Sequence, residues 1–241
     1  MGALVLAGSG EFLPIMRAVD EVVLRHTPGR PPRVVIVPTA SGLEGAVPLD
    51  WIARGVAHFA ALGCAAFGVP ILEREGADDP AHAAALAGAD LIYLSGGNPR
   101  HLIDTLRDSV AWTAIRAAYD GGATLAGSSA GAMALAELVV APRAPEPTWQ
   151  PALGLLPGIG ILPHFDRFGG ARTAPLIAAA PPHLTILGID EDTIVLVAAG
   201  VASVLGARAV TLLRGGEATV FRAGEQLPHG VLRSPGTTDP E

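Results

Sequence analysis

Residues 123–138 read ATLAGSSAGAMALAEL, and this stretch decides the fold. Its first part, ATLAGS (123–128), is a short run that we predict to be a buried β-strand. The part that follows, AGAMALAEL (130–138), is predicted to be a helix. Only small residues stand at the junction, GSSAGA (127–132). A strand that turns tightly into a helix is the repeating unit of α/β proteins with a parallel sheet.

The same alternation extends through the first two thirds of the chain. The predicted strands are ALVLA (3–7), RVVIVP (33–38), AAFGVPIL (65–72) and DLIYLS (90–95). Helical spacing of apolar residues predicts helices over 12–26, 51–62, 100–108 and 110–119. Because the strands are apolar throughout, we expect a mostly parallel, doubly wound α/β sheet covered by helices on both faces.

The last third of the chain has a different pattern. Short strands over 185–190, 193–200, 207–215 and 218–224 predict an antiparallel C-terminal extension. The proline-rich residues 141–157 are expected to form an irregular loop. We expect one domain over residues 1–233, because no segment within it has the composition of a linker. Residues 234–241 are expected to form a disordered tail.

Composition excludes several kinds of chemistry. The 241 residues carry a formal charge of -7, and all 16 basic residues are arginine, so a catalytic lysine is impossible. The single cysteine, Cys64, cannot form an internal disulfide or a cysteine zinc site. We expect no metal, no cofactor, no nucleic-acid partner and no membrane association, and a cytoplasmic location. A homodimer is possible.

A glycine pair after the first predicted strand invites a dinucleotide-binding interpretation. Gly8 and Gly10 fit the first two glycines of G-x-G-x-x-G, but position 13 is Leu13. No acidic residue ends the next strand at the place where a ribose would be bound. We therefore do not expect a nucleotide.

The central junction also fits G-x-S-x-G with Ser129 in the middle. In this pattern a serine stands on a strained turn at the carboxyl end of the sheet, with its hydroxyl exposed. A serine nucleophile needs a base, and histidine is the natural one here. Of the seven histidines, only His164 ends an apolar run at the active edge of a sheet, in GIGILPHFD (158–166).

The remaining parts of a serine hydrolase also have candidates. GIDEDT (188–193) follows a strand and offers Asp190, Glu191 and Asp192 as the carboxylate that orients the histidine. An oxyanion hole needs two backbone N–H groups. One would come from Ala130, and the other from the glycine turn Ser95–Asn98.

In this order and spacing, YLSGGN (93–98), GSSAGA (127–132), LLPGIGILPHF (155–165) and GIDEDT resemble the serine peptidase family of dipeptidase E and cyanophycinase. The resemblance covers roughly residues 1–200. It implies a class I glutamine amidotransferase-like (flavodoxin-like) fold, with serine in place of the amidotransferase cysteine.

The resemblance implies a role for each site residue. Ser129 is similar to the nucleophile, His164 to the general base and Glu191 to the glutamate that faces the histidine. Glu146 is the alternative acid, since a residue after the nucleophile helix has also been considered in this family. Gly96, Gly97 and Ala130 would form the oxyanion hole.

The resemblance also implies cleavage next to an acidic residue, in α-aspartyl dipeptides or in β-aspartyl-arginine isopeptides. Arg167 and Arg172 are the candidate cations for that acid. Asn98 stands where some relatives have an acidic residue, and we expect it to contact the substrate.

Three functions follow, in decreasing order of support. The first is a serine peptidase of small aspartyl peptides with a Ser129–His164–Glu191 triad. The second is a binding or regulatory protein on the same fold with a silent site. The third is an α/β-hydrolase esterase, in which Ser129, Asp190 and His229 would satisfy the chain order of that fold.

Overall fold

The computed structural model describes residues 1–140 and 147–232, except for the side chains of residues 169–171. Within these ranges the strands are β1 Leu4–Ala7, β2 Arg33–Val37, β3 Ala65–Gly68, β4 Leu91–Leu94, β5 Thr124–Ser128, β6 Ala136–Val140, β7 Trp149–Pro151, β8 Leu156–Pro163, β9 Thr185–Ile189, β10 Thr193–Ala198, β11 Val201–Gly206, β12 Ala209–Arg214 and β13 Glu217–Arg222. The predicted tail, 234–241, and Glu146 lie outside the described residues. The single-domain boundary stays a prediction.

The helices lie mainly between the strands of the first half. They are α1 Arg17–His26, α2 Val47–Ala61, α3 Arg74–Ala77, α4 Pro80–Ala87, α5 Pro99–Leu106, α6 Val110–Asp120, α7 Ala130–Leu135 and α8 Gly169–Ala178. Short 3-10 turns occur at Pro14–Met16, Thr39–Ser41 and Phe165–Arg167. Serine or asparagine caps begin two of the helices: Ser109 accepts from the Trp112 N–H before α6, and Asn98 caps α5.

The first sheet has the order β11-β10-β1-β5-β4-β2-β3. The strands β1 to β5 pair in parallel, whereas β10 and β11 add to the edge in antiparallel orientation. One apolar cluster includes Leu4 and Leu6, and another includes Val5 and Ala7. Side chains alternate between faces along a strand, so both faces of this sheet are covered. The predicted doubly wound α/β class is confirmed.

A second sheet has the order β13-β12-β9-β8-β6-β7. Here β6, β8 and β9 pair in parallel, and the outer strands pair in antiparallel orientation. The periodicity does not predict this sheet. It does predict the antiparallel C-terminal extension. However, β9 is antiparallel only to β12 on one side, and on its other side it pairs in parallel with β8. The larger apolar cluster includes residues of both sheets, such as Leu125 and Leu187.

Among the predicted elements that differ from the structure, two do so for clear physical reasons. The predicted helix over 130–138 ends at Leu135, and Ala136 takes an extended conformation. Good helix formers such as Ala136 and Glu137 join a strand there because pairing with β8 outweighs local propensity. In the predicted loop 141–157, Trp149–Pro151 pairs with β6 as an edge strand, where proline is tolerated.

Strand registers bring the functional loops together. Ala7 of β1 lies beside Ser128 of β5, and Leu94 of β4 lies beside Gly127. In the second sheet Pro163 of β8 lies beside Ile189 of β9. The strands of each set therefore end at the same level, and the loops that follow them share one edge of each sheet.

Candidate active site

Ser129 lies on a strained turn between β5 and α7, as predicted. Its backbone has φ 49° and ψ -110°, and its N–H donates to the Ala7 carbonyl at 2.9 Å. A non-glycine residue at such a φ costs about 1–3 kcal/mol and is found mainly at functional sites. The turn is also crowded, since a Cβ on Gly131 would lie 2.2 Å from the Leu94 carbonyl oxygen. Small residues are required here to hold the Ser129 hydroxyl out.

The Ser129 hydroxyl forms a hydrogen bond with His164. The distance between Ser129 Oγ and His164 Nε2 is 3.0 Å. His164 follows β8 directly and has left-handed backbone angles, φ 51° and ψ 37°, which turn its side chain towards the first sheet. The structure thus brings together the predicted nucleophile and base, although 34 residues lie between them in the sequence and they belong to different sheets.

Glu191 contacts the other side of the imidazole. Glu191 Oε1 lies 3.0 Å from His164 Nδ1, and Glu191 Oε2 lies 3.0 Å from Arg167 Nε. An ionised carboxylate at Nδ1 favours the tautomer that carries its proton on this nitrogen. Nε2 is then free to accept the hydrogen bond from the Ser129 hydroxyl. Ser129, His164 and Glu191 form a continuous hydrogen-bonded chain.

The alternative acids do not contact His164 in this way. Asp190 Oδ2 accepts from the Ala209 N–H at 3.2 Å, and burial raises the pKa of this carboxyl. The Asp192 carboxylate lies against Gly10, within 2.4 Å of where a Cβ there would stand. The esterase hypothesis therefore loses its acid, since Asp190 is engaged elsewhere. It also loses its base, because the imidazole on Ser129 is His164 and not the exposed His229.

Asp166 and Arg208 connect the loops of the base and the acid. Asp166 Oδ1 accepts from the Glu191 N–H at 2.9 Å, and Asp166 Oδ2 accepts from Arg208 Nη1 at 2.8 Å. The loop after β8 is thereby joined to the loop after β9 and to the start of β12. This contact fixes the backbone of Glu191 relative to His164.

The predicted oxyanion turn differs from expectation at Gly96. The Gly96 N–H donates to Glu11 Oε1 at 3.1 Å, so the buried carboxylate is its partner and it is not a free oxyanion donor. Gly97 has φ 142° and is exposed, and a Cβ there would lie 2.4 Å from the Ala40 carbonyl oxygen. The Ala130 N–H belongs to the first turn of α7, where amides have no acceptor within the helix. Gly97 and Ala130 remain the candidate pair.

The predicted substrate-binding residues are all exposed. Asn98 Oδ1 already accepts from the Arg100 and His101 N–H groups as the cap of α5. Arg167 gives its Nε to Glu191 while its side chain remains 69% exposed. Arg172 lies in α8 on the chain segment that follows. Their contacts with a substrate stay predictions.

Sequence patterns missed Glu11, Asp166 and Arg208. Glu11 had a usable signal, because it follows β1 at the same sheet edge as Ser129. The Gly8-Ser9-Gly10 turn also has another use than nucleotide binding. A Cβ on Gly8 would lie 2.1 Å from the Asp190 carbonyl oxygen, so glycine allows the β1 loop to approach the loop of the acid.

Residues 1–140 and 147–232 contain neither a metal-binding cluster nor a helix that could span a membrane. In those ranges no three His, Cys, Asp or Glu side chains are grouped so as to hold a metal ion. None of the helices there has the length and apolar character needed to cross a bilayer.

The chain is similar to known peptidases in sequence and in structure. A sequence model of peptidase family S51 matches residues 4–205. Peptidase E of Citrobacter koseri is 30% identical over 182 residues, which cover 71% of this chain and 76% of that protein. Cyanophycinase of Trichormus variabilis is 34% identical over 159 residues, 62% of this chain and 53% of its own, so the chain spans about half the length of the cyanophycinase it matches. The crystal structure of a peptidase from an acI-B1 Actinobacterium superposes with a TM-score of 0.85 at 30% identity, covering 94% of this chain and 96% of that one.

Proposed function

The chain belongs to peptidase family S51 and is a serine peptidase, and on this premise we propose that it hydrolyses small aspartyl peptides or β-aspartyl isopeptides. Ser129 is the nucleophile, His164 the general base and Glu191 the acid that orients the base. One observation carries the proposal: two 3.0 Å contacts connect Ser129 Oγ through the imidazole to Glu191.

The reaction follows from this geometry. His164 Nε2 takes the hydroxyl proton as Ser129 Oγ attacks the carbonyl carbon of the scissile bond. The N–H groups of Gly97 and Ala130 stabilise the resulting oxyanion. The imidazolium then gives its proton to the leaving amine, and an acyl-enzyme remains on Ser129. Water attacks this ester with His164 again as the base, and the free carboxylic acid leaves.

Arg167 and Arg172 supply the preference for an acidic side chain. The Arg167 guanidinium uses Nε for Glu191, and its two terminal nitrogens have no partner among the described residues, so they can bind a carboxylate in bidentate geometry. Because the side chain is mostly exposed, a substrate can reach these nitrogens directly. The neutral Asn98, also exposed, adds a polar contact without repelling the substrate carboxylate.

The test compares matched dipeptides by mass spectrometry. The panel contains Asp-Leu, its neutral isostere Asn-Leu, β-aspartyl-leucine and β-aspartyl-arginine, each incubated with the wild type, Ser129→Ala and Ser203→Ala. Ser203 lies in β11 and is the control. We expect cleavage of aspartyl members only, lost in Ser129→Ala and unchanged in Ser203→Ala.

Other results would contradict separate parts of the proposal. Equal cleavage of Asp-Leu and Asn-Leu would contradict the acidic preference. Turnover by Ser129→Ala would contradict the nucleophile. If aspartyl peptides bind without being cleaved by the wild type, the proposed reaction is wrong and the chain is a binding protein.

A further inference from the structure

Glu11 is a buried carboxylate that the reaction above does not use. Glu11 follows β1 and is only 8% exposed. Its carboxylate contacts two different turns of the site. Glu11 Oε1 accepts from the Gly96 N–H at 3.1 Å, and Glu11 Oε2 accepts from the Ser128 hydroxyl at 2.6 Å. One turn precedes the predicted oxyanion amide of Gly97, and the other carries the nucleophile.

We propose that Glu11 is a positioning residue that holds the two halves of the oxyanion hole at a fixed separation. This inference rests on the proposed function, because the oxyanion hole is part of that reaction. The halves are the Gly97 amide, on the loop after β4, and the Ala130 amide, on the turn after β5. Among the described residues no backbone hydrogen bond joins these two loops, whereas the Glu11 side chain forms a hydrogen bond with each of them.

The chemistry of the contact explains why a carboxylate suits this position. None of the salt bridges among the described residues involves Glu11. Burying a charge without a cation is costly unless strong hydrogen bonds replace water. A carboxylate accepts from an N–H and from an O–H at the same time, and such charge-assisted bonds are shorter and stronger than neutral ones. The Ser128 contact at 2.6 Å has that character.

The packing shows how Glu11 acts on the nucleophile turn. A Cβ placed on Gly96 would lie 2.9 Å from Glu11 Oε1 and 3.5 Å from Ser129 Cβ. The glycine, the carboxylate and the nucleophile residue are thus in close contact. Because the Gly96 N–H already donates to Glu11, the next amide, that of Gly97, is the candidate oxyanion donor.

A buried phenol senses the charge of Glu11. Tyr93 is buried beneath the site, and burial, together with the negative charge of Glu11, holds the pKa of this phenol well above its usual value. Ser128, directly before the strained Ser129, is held by the hydrogen bond of its hydroxyl to Glu11.

The experiment measures Glu11→Ala and Glu11→Gln, with the exposed Glu217→Gln of β13 as the control. We expect kcat of Glu11→Ala to fall about 10²-fold, the effect of one displaced oxyanion donor. KM should change less than about threefold, because ground-state contacts remain. Glu11→Gln should keep kcat within about tenfold of the wild type, since its amide can accept from Gly96 and donate to Ser128. Glu217→Gln should match the wild type.

A second readout separates this inference from the choice of substrate. The rate at which a fluorophosphonate labels Ser129 depends on the oxyanion hole but not on aspartyl recognition. Labelling of Glu11→Ala should slow about 10²-fold even if no panel peptide is cleaved. Unchanged labelling and kcat in Glu11→Ala would overturn the positioning role, and so would a rise in KM alone, which would make Glu11 a substrate contact. If Glu11→Ala does not fold, a folded Glu11→Gln with kcat reduced 10²-fold or more would overturn it.

Discussion

The two sides of the site are held by different forces. On the nucleophile side, Ser128 and Ala130 are buried on either side of the half-buried Ser129, and backbone geometry and close packing fix the turn. The base side is partly exposed: the side chains of His164 and Glu191 are 32% and 23% exposed. Glu191 is held by an ion pair with Arg167 and by the hydrogen bond from its N–H to Asp166, which itself pairs with Arg208. Buried packing responds to volume and backbone angle, whereas exposed ion pairs respond to charge and salt. The two sides should therefore fail in different ways.

The largest effect is expected at Ser129, the proposed nucleophile. Ser129→Gly and Ser129→Ala should both lower kcat at least about 10⁴-fold, because the attacking group is gone. Only the glycine variant should be more stable than the wild type, by about 1 kcal/mol, since glycine adopts φ 49° without strain. Thermal unfolding measures this difference. Equal stability of the two variants would contradict a strained turn.

The next largest effect is expected at the acid. Glu191→Gln should lower kcat about 10³-fold, because the amide no longer stabilises the imidazolium of His164. Asp190→Asn is the matched control, since Asp190 bonds to the Ala209 N–H instead, and should change kcat less than about threefold. Steady-state kinetics on the best dipeptide tests both. The reverse ranking would assign the orienting role to Asp190.

A smaller effect is expected at Asp166, whose ion pair with Arg208 supports the base side. Asp166→Asn keeps an acceptor for the Glu191 N–H but loses the pairing with Arg208. Since partly exposed ion pairs contribute about 0.2–1 kcal/mol, we expect a two- to fivefold fall in kcat/KM. The kcat/KM of the wild type should fall by the same factor when the salt concentration is raised. The kcat/KM of Asp166→Asn should be less sensitive to salt. A salt response equal in both proteins would contradict an ionic connection.

The smallest effect is expected far from the site, at Glu137 of β6. The pKa of this carboxyl is lowered mainly by the hydrogen bond from the Gly158 N–H and, to a smaller extent, by the hydrogen bond with His183. Its folded pKa is below the unfolded value, so its contribution is present above the unfolded pKa and is lost as pH falls through the folded pKa. Solvent screening limits it to less than about 1 kcal/mol. Denaturant titrations of the wild type and Glu137→Gln should diverge above pH 5 and converge at the acid end, with activity unchanged.

Local sequence predicted the nucleophile side well, because its information is local. A strand, a turn of small residues and a helix are contiguous in ATLAGSSAGAMAL, and Ser129 stands where that pattern places it. His164 and Glu191 also follow strands at the predicted places. The end of β5 and the start of α7 required no knowledge of the rest of the chain.

Contacts between distant segments were not predictable in the same way. The second sheet depends on β6 pairing with β8 across 141–155, which no periodicity shows. The partner of the Gly96 N–H depends on Glu11, 85 positions earlier in the chain. The contact of Gly8 with the Asp190 backbone is a matter of space, and the sequence shows only that a glycine is present. Such features follow from tertiary packing and not from local propensity.

The alignment of the strand ends in the two sheets also has a consequence for folding. Ser129 belongs to one sheet and His164 to the other, and α7 passes directly into β6 between them. Neither sheet alone can assemble the reacting atoms, so catalysis begins only after both have formed and docked in register. Recovery of activity during refolding should therefore lag behind recovery of secondary structure. The rate at which dipeptide turnover returns then measures the last step of folding.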